Sequence, residues 1–188
     1  MNTDHKVVLR LGALGFLCAL LIGGSYQLYA QRIQTAQQDY TRRQLLAIVE
    51  EQEWQLRELA AGRYGLYADN QLRGFLFPIE THQGYNGLIS LWLAVSPSGE
   101  VLGVRVRSHQ ETPGLGDKIE LPVSDWVLGF NGQSLTNTQW GIKPDGGQFD
   151  SFTGASITPR AVVAAVEQGL LKFQQQQTTW LEDVNESN

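Results

Sequence analysis

The chain has 188 residues, 42% of them hydrophobic, and a formal net charge of −5. That is enough for one domain with a core and an appendage, and the acidic balance without any basic run excludes a reader of the nucleic-acid backbone, which needs concentrated Lys and Arg. A single cysteine, Cys18, excludes internal disulfides, cysteine-held iron–sulfur clusters and CxxCH haem attachment, and the three histidines (His5, His82, His109) do not fall at metal-ligand spacing.

Residues 7–30, VVLRLGALGFLCALLIGGSYQLYA, carry no charge from Leu11 to Tyr29. At a rise of about 1.5 Å per residue such a run spans a bilayer core as one helix. Lys6 and Arg10 lie on its N-terminal side, so the positive-inside rule puts residues 1–6 in the cytoplasm and 31–188 across the membrane. The reading is a single-pass membrane anchor, with residues 31–188 in an extracytoplasmic space and lipid as a partner. A cleaved signal peptide is the alternative, with LYA before Gln31 as a loose cleavage site. Leu stands there where a small residue is expected, and the apolar run exceeds a usual signal core. Cys18 follows a Leu where a lipoprotein signal has a small residue, and it reads as lipid-facing.

Residues 31–61 contain neither Gly nor Pro. Leu45, Val49, Leu56 and Leu59 recur at helical spacing, and Gly62 closes the run as a C-terminal cap. The segment 31–62 is predicted to be a helical stalk of one helix or two. From 63 to 176 the pattern is that of a mixed domain. FLFPIE and LISLWLAV are strand-like, the second apolar enough to be buried on both faces. A turn at 96–100 leads into VLGVRVRS, where Val104 and Val106 alternate with Arg105 and Arg107, so 88–107 reads as an antiparallel hairpin. A loop-rich stretch follows. The last element is a helix over about 159–174 with Val162, Val163, Val166, Leu170 and Phe173 on its buried face. Residues 177–188 read as a polar, frayed tail. The fold class is α+β: an antiparallel sheet with flanking helices.

Chemistry concentrates in DSFTGASITP, residues 150–159. Thr158 can cap the final helix and Pro159 fits its first position. Ser156 then lies at the helix mouth, where free N–H groups and the positive dipole end favour a phosphate. Gly154 and Ala155 remove bulk, and the Asp150 carboxylate stands where it could orient or deprotonate a hydroxyl. Taken alone, these features are also those of any capped helix. ETPGLGDK (111–118) reads as an ordered surface loop or a ligand-lining one, with Glu111 and Lys118 offering opposite charges to a polar ring edge; its spacing is not that of a P-loop. WGIKPDGGQFD (140–150) brings Trp140, core or platform, and Lys143 shortly before the hydroxyl cluster. Asp117 and Glu120 are paired acids with nothing nearby for acid–base work.

DSFTGAS resembles the flavinylation motif Asp-x-x-(Ser/Thr)-Gly-Ala-(Thr/Ser), in which FMN is joined through its phosphate to the last hydroxyl. With the preceding GYNG, ETPGLGDKIE and WGIKPDGGQFD, it is similar to FMN-binding domains, and over its length the chain most resembles the G subunit of Rnf-type ion-translocating electron transport complexes. That resemblance implies Ser156 as the attachment residue, with Asp150, Thr153, Gly154 and Ala155 as the recognition motif of a flavin transferase that takes FMN from FAD. Glu111, Thr112, Leu115, Gly116 and Lys143 would lie near the flavin. Thr is commoner at the attachment position, and Thr153 and Thr158 are the fallback hydroxyls. The implied role is a one-span flavoprotein relay within a translocase. Electrons pass between ferredoxin and nicotinamide while partner subunits move the ion, since the lone span has no carboxylate for an ion pathway. The FMN-binding subunit of another redox system, such as the sodium-pumping quinone reductase, and a non-flavinylated assembly subunit are the alternatives.

Overall fold

The computed structural model describes residues 10, 12–13, 15–16, 18–19, 54–59 and 62–186. The chain divides into two compact units, 1–44 and 45–188. In the first, the described positions are helical and exposed. The expected anchor at 7–30 otherwise lies outside the described residues, as does the expected stalk as far as residue 53. Among the described residues no helix is long and apolar enough to cross a membrane.

The second unit is built on a five-stranded antiparallel meander: β1 (Gln55–Glu58), β2 (Tyr64–Ala68), β3 (Gln71–Gly84), β4 (Gly87–Val95) and β5 (Val101–Ser108), adjacent in that order. One long helix, α1 (Ile157–Glu186), packs on β3 and β4.

β1 corrects the expected helix, which was to run through residue 61. Leu56 lies opposite Leu66 in the ladder, and Trp54 and Leu56 pack on Leu66, Leu76 and Trp92. Gln, Leu and Glu favour a helix only weakly, by tenths of a kcal/mol each. Burying an apolar side chain contributes roughly 1.5–3 kcal/mol, so the sheet face decides. β2 and β3 are joined at Asp69 and Asn70, whose φ values of 51° and 59° are those of a two-residue hairpin turn with both central residues left-handed.

The hairpin expected over 88–107 is present as β4 and β5, and β4 is buried on both faces from Ile89 to Val95. The predicted buried face of the final helix is also present: Val162, Val163, Val166, Leu170 and Phe173 are all in the core. Gly169 lets the helix approach the sheet, since a Cβ there would lie 2.8 Å from Leu93 Cδ2 and 3.0 Å from Ile79 Cγ2. The helix is longer than expected at both ends. It runs on to Glu186 in place of a frayed tail because Trp180 and Val184 are buried, and Trp180 meets Phe77 edge-on at 4.7 Å.

Residues 109–156 form one long excursion between β5 and α1, with short 3-10 turns at Asp117–Ile119, Asp125–Phe130 and Lys143–Asp145. Aromatic contacts anchor it: Phe130 stacks on Phe149 at 4.5 Å, and Trp126 meets Phe152 at 5.1 Å. Trp140 stacks on Phe130 and lies tilted against Phe149, half-buried against the core and outside the cleft described below. The excursion is pinched shut where Gly147 crosses Gly141. A Cβ on Gly147 would fall 2.1 Å from the Gly141 carbonyl carbon, and the N–H of Lys143 donates to the Phe149 carbonyl at 2.7 Å.

Candidate functional site

The first turn of α1 faces the 111–116 loop across a cleft of about 410 Å³, within the roughly 300–1,000 Å³ of small-molecule sites. One wall is Glu111, Thr112, Leu115 and Gly116; the other is Gly154, Ala155 and Ser156. Seven of the sequence-predicted site residues thus meet at one place. Asp150, Thr153 and Lys143 do not line it.

The helix begins two residues earlier than expected. Ile157 is its first residue, and the Ser156 carbonyl accepts the Arg160 N–H at 3.4 Å, which makes Ser156 the cap in place of Thr158. Pro159 becomes the third helical residue. Its missing N–H is one that a helix N-terminus leaves unpaired in any case, and it also removes a donor that a capping side chain usually takes. Ser156 Oγ makes no hydrogen bond to any described residue. Just upstream, the Ala155 N–H donates to the Phe152 carbonyl at 3.0 Å, closing a tight turn in which Gly154 has φ 78°. That left-handed backbone costs other residues about 1–2 kcal/mol, which accounts for the glycine.

Thr158 has the opposite fate to Ser156. It is 1% exposed, and its hydroxyl donates to Glu111 Oε2. It is therefore engaged and inaccessible as a fallback hydroxyl; Thr153 is exposed but outside the cleft. Glu111 itself is 4% exposed. The Asn86 N–H donates to its Oε1 at 2.9 Å and the Tyr85 N–H to its Oε2 at 3.2 Å. Its own N–H donates to His109 Nδ1 at 3.0 Å, so the ring proton sits on Nε2, which bonds Glu120 at 2.6 Å. Two glycines make room for this carboxylate. A Cβ on Gly84 would lie 2.9 Å from Oε1, and one on Gly116 would lie 2.8 Å from Glu111 Cβ.

The charged residues of the 140–150 segment form a brace instead of a wall. Lys143 Nζ donates to Asp150 Oδ1 at 2.5 Å, so the Asp150 carboxylate is paired with Lys143 and bonds no hydroxyl of the motif. Trp126 Nε1 donates to the Asp150 carbonyl at 2.9 Å. Arg160 grips Asp145 with two nitrogens, at 2.6 and 3.1 Å. That guanidinium holds the Asp145 carboxyl below the usual range, and the carboxylate in turn raises Arg160. Lys118, expected at a ring edge, instead places Nζ 5.9 Å from the Phe152 ring centre and is not in the cleft lining.

Sequence reasoning missed two lining residues as site residues, Tyr85 and Ile157. Tyr85 and Ile157, with Leu115, are among the few large apolar side chains left exposed, and they gather at this one cleft. The signal was present in the exposed turn GYNG and in the Ile after the cap, but only the fold brings them together. The arrangement offers an unpartnered hydroxyl at an anion-favouring helix mouth beside an apolar rim that suits a planar ring. No described base is hydrogen-bonded to Ser156 Oγ.

Fold and cleft together define a flavin-domain architecture: the model of the FMN-binding domain family matches residues 84–171. The solved structure of the C subunit of the Na(+)-translocating NADH-quinone reductase from Parabacteroides distasonis shares the fold, with a TM-score of 0.50 at 20% identity over 62% of each chain. Relatives named as the G subunit of the ion-translocating oxidoreductase complex are closer in sequence. The protein of Shewanella loihica is 59% identical over 101 residues, 52% of this chain and 48% of its own. That of Vibrio cholerae is 59% identical over 97 residues, 50% and 46%. That of Haemophilus influenzae strain PittEE is 38% identical over 177 residues, 86% of both chains. The match spans about half the length of the first two relatives and most of the third. The chain belongs to the family of G subunits of ion-translocating oxidoreductase complexes.

Proposed function

We propose that this chain is a flavoprotein subunit of a membrane-bound electron transport complex, carrying FMN joined by a phosphoester to Ser156 Oγ. The observation that carries the reading is the contrast within one motif. Of the hydroxyls in TGASIT, Ser156 alone is unpartnered and lines the cleft, while Thr158 is buried against Glu111. Attachment needs a flavin transferase and FAD. The Ser156 oxygen bonds to the FMN-side phosphorus, the pyrophosphate bond to AMP breaks, AMP leaves and the hydroxyl proton goes to the transferase.

The residues present fit the group. The first-turn N–H groups of α1 would meet the phosphate, and Gly154 and Ala155 let it approach the backbone. Tyr85, Leu115 and Ile157 would flank the ring and exclude water from it. Bound FMN supplies reversible electron transfer; the chain supplies position and field. Asp150, braced by Lys143, and Thr153 lie outside the cleft and belong to the surface that the transferase would read.

In this reading residues 7–30 anchor the chain in the bacterial inner membrane. The N-terminus lies in the cytoplasm, the 45–188 unit in the periplasm, and the partner proteins of the complex couple ion movement to electron flow between ferredoxin and nicotinamide. The family supports this assignment over the quinone-reductase alternative, which rests on fold likeness alone. The test is coexpression with a flavin transferase followed by denaturing electrophoresis. Flavin fluorescence should stay with the band, vanish in Ser156→Ala and persist in Thr153→Ala; a dark wild-type band sinks the reading.

A further inference from the structure

Glu111 is the only charged side chain among the described residues that line the cleft. We infer that it is a built-in negative charge that lowers the midpoint potential of the flavin held on Ser156. The inference rests on FMN being attached there.

No described cation is paired with this carboxylate. Arg63–Asp183, Lys143–Asp150 and Arg160–Asp145 are ion pairs of the described domain, and Glu111 is in none of them. His109 is no counter-charge. The nitrogen nearest Glu111 accepts the Glu111 N–H and so bears no proton, and the other is committed to Glu120. The acceptor geometry is that of a carboxylate: both oxygens take backbone N–H groups, from Asn86 and Tyr85, and Oε2 also takes the Thr158 hydroxyl. All three donors are neutral. They fix the charge in place without cancelling it, and the lack of room beyond a hydrogen at Gly84 and Gly116 keeps the side chain from swinging away.

A fixed charge in a partly desolvated wall acts more strongly than one in water, because the effective dielectric is lower. Each electron added to a flavin beside it brings negative charge toward negative charge, which disfavours reduction. Charge close to the ring is one of the means by which a protein tunes this cofactor. The opposing positive end of α1 acts at its N-terminus, where the phosphate's own charge offsets it. Glu111 therefore does two things with one side chain: it joins the β3–β4 turn, the 111–116 loop and the helix mouth, and it sets the field inside the cleft they form.

The test compares the wild type with Glu111→Gln and Thr158→Val, each coexpressed with the transferase. Intact mass first establishes one FMN per chain. Midpoint potentials are then read by spectroelectrochemical titration, with dithionite supplying the two electrons and buffer the two protons that separate oxidised from reduced FMN. Glu111→Gln should shift the potential to more positive values. Thr158→Val keeps the charge but removes a donor that partly shields it, so it should shift the other way. A Gln variant that carries FMN at an unchanged or more negative potential overturns the inference. Should that variant fail to fold or to take flavin, Thr158→Val decides, a negative shift upholding the inference and no shift or a positive one overturning it. An unmodified wild-type mass overturns the flavin reading and this inference with it. A modified wild type with an unmoved Gln variant overturns this inference alone.

Discussion

The Thr158 hydroxyl and the Glu111 carboxylate are bonded across the cleft although 47 residues separate them in sequence. The bond ties the first turn of α1 to the loop that forms the opposite wall, and it is buried on both sides. Hydrogen bonds to a charged group contribute about 1.5–3 kcal/mol. Thr158→Val should therefore lower the unfolding free energy by about that amount in urea melts, and Thr158→Ser, which keeps the hydroxyl, by less. Both variants should still carry FMN on Ser156. Loss of FMN in Thr158→Val with the fold intact would point to Thr158 as the attachment residue.

Gly116 tests the packing around the same carboxylate. A Cβ there would lie 2.8 Å from Glu111 Cβ and 2.9 Å from Thr158 Oγ1. Overpacking of this kind costs roughly 1–3 kcal/mol, so Gly116→Ala should lower the melting temperature by several degrees and reduce FMN incorporation. Gly129→Ala, where nothing lies within 4 Å of the added atom, should change neither. Equal behaviour of the two variants would show that the Glu111 pocket is not tightly filled.

The site was legible where chemistry is local in sequence, and illegible where it is not. DSFTGAS could be read because a left-handed Gly, a small Ala and a capping hydroxyl have to be neighbours in the chain. The buried face of α1 could be read because Val162, Val163, Val166, Leu170 and Phe173 repeat at the helix period. The cap was misplaced by two residues because Ser156 and Thr158 are both good caps and Pro159 is tolerated anywhere in the first turn. β1 was misread because its residues favour a helix locally and the sheet face that overrides them comes from β2, β3 and β4. Tyr85, far along the chain from Ser156, was left out because only the β3–β4 turn brings it to the cleft. Lys143 is expected near the flavin and Asp150 at the motif hydroxyl, but their charges pair with each other.

The Asp145–Arg160 pair gives a pH signature. The guanidinium depresses the Asp145 carboxyl in the folded chain, so folding is favoured by the ionised form. The contribution is present above the unfolded carboxyl value of about 3.9 and is lost as pH falls through the lower folded value. The pair is solvent-exposed, so the effect is small and screened by salt. In melts across pH 2–6, roughly spanning those values, Asp145→Asn should flatten part of the acid limb and leave stability at neutral pH nearly unchanged. A variant with the same acid limb as the wild type would show that the brace does not contribute.

The proposed attachment residue, Ser156, differs from a threonine only by a methyl group, which would stiffen its rotamer. Ser156→Thr should accept FMN at least as fully as the wild type when coexpressed with a transferase, measured as the modified fraction of the intact protein. A sharp drop would mean that the cleft of this chain is fitted to serine.

The most direct test is peptide mass mapping of the full chain made with a flavin transferase. The account predicts one FMN per chain, on the peptide containing 150–159, with fragmentation placing it on Ser156 and none on Thr153 or Thr158. An unmodified peptide, or FMN on either threonine, would contradict it.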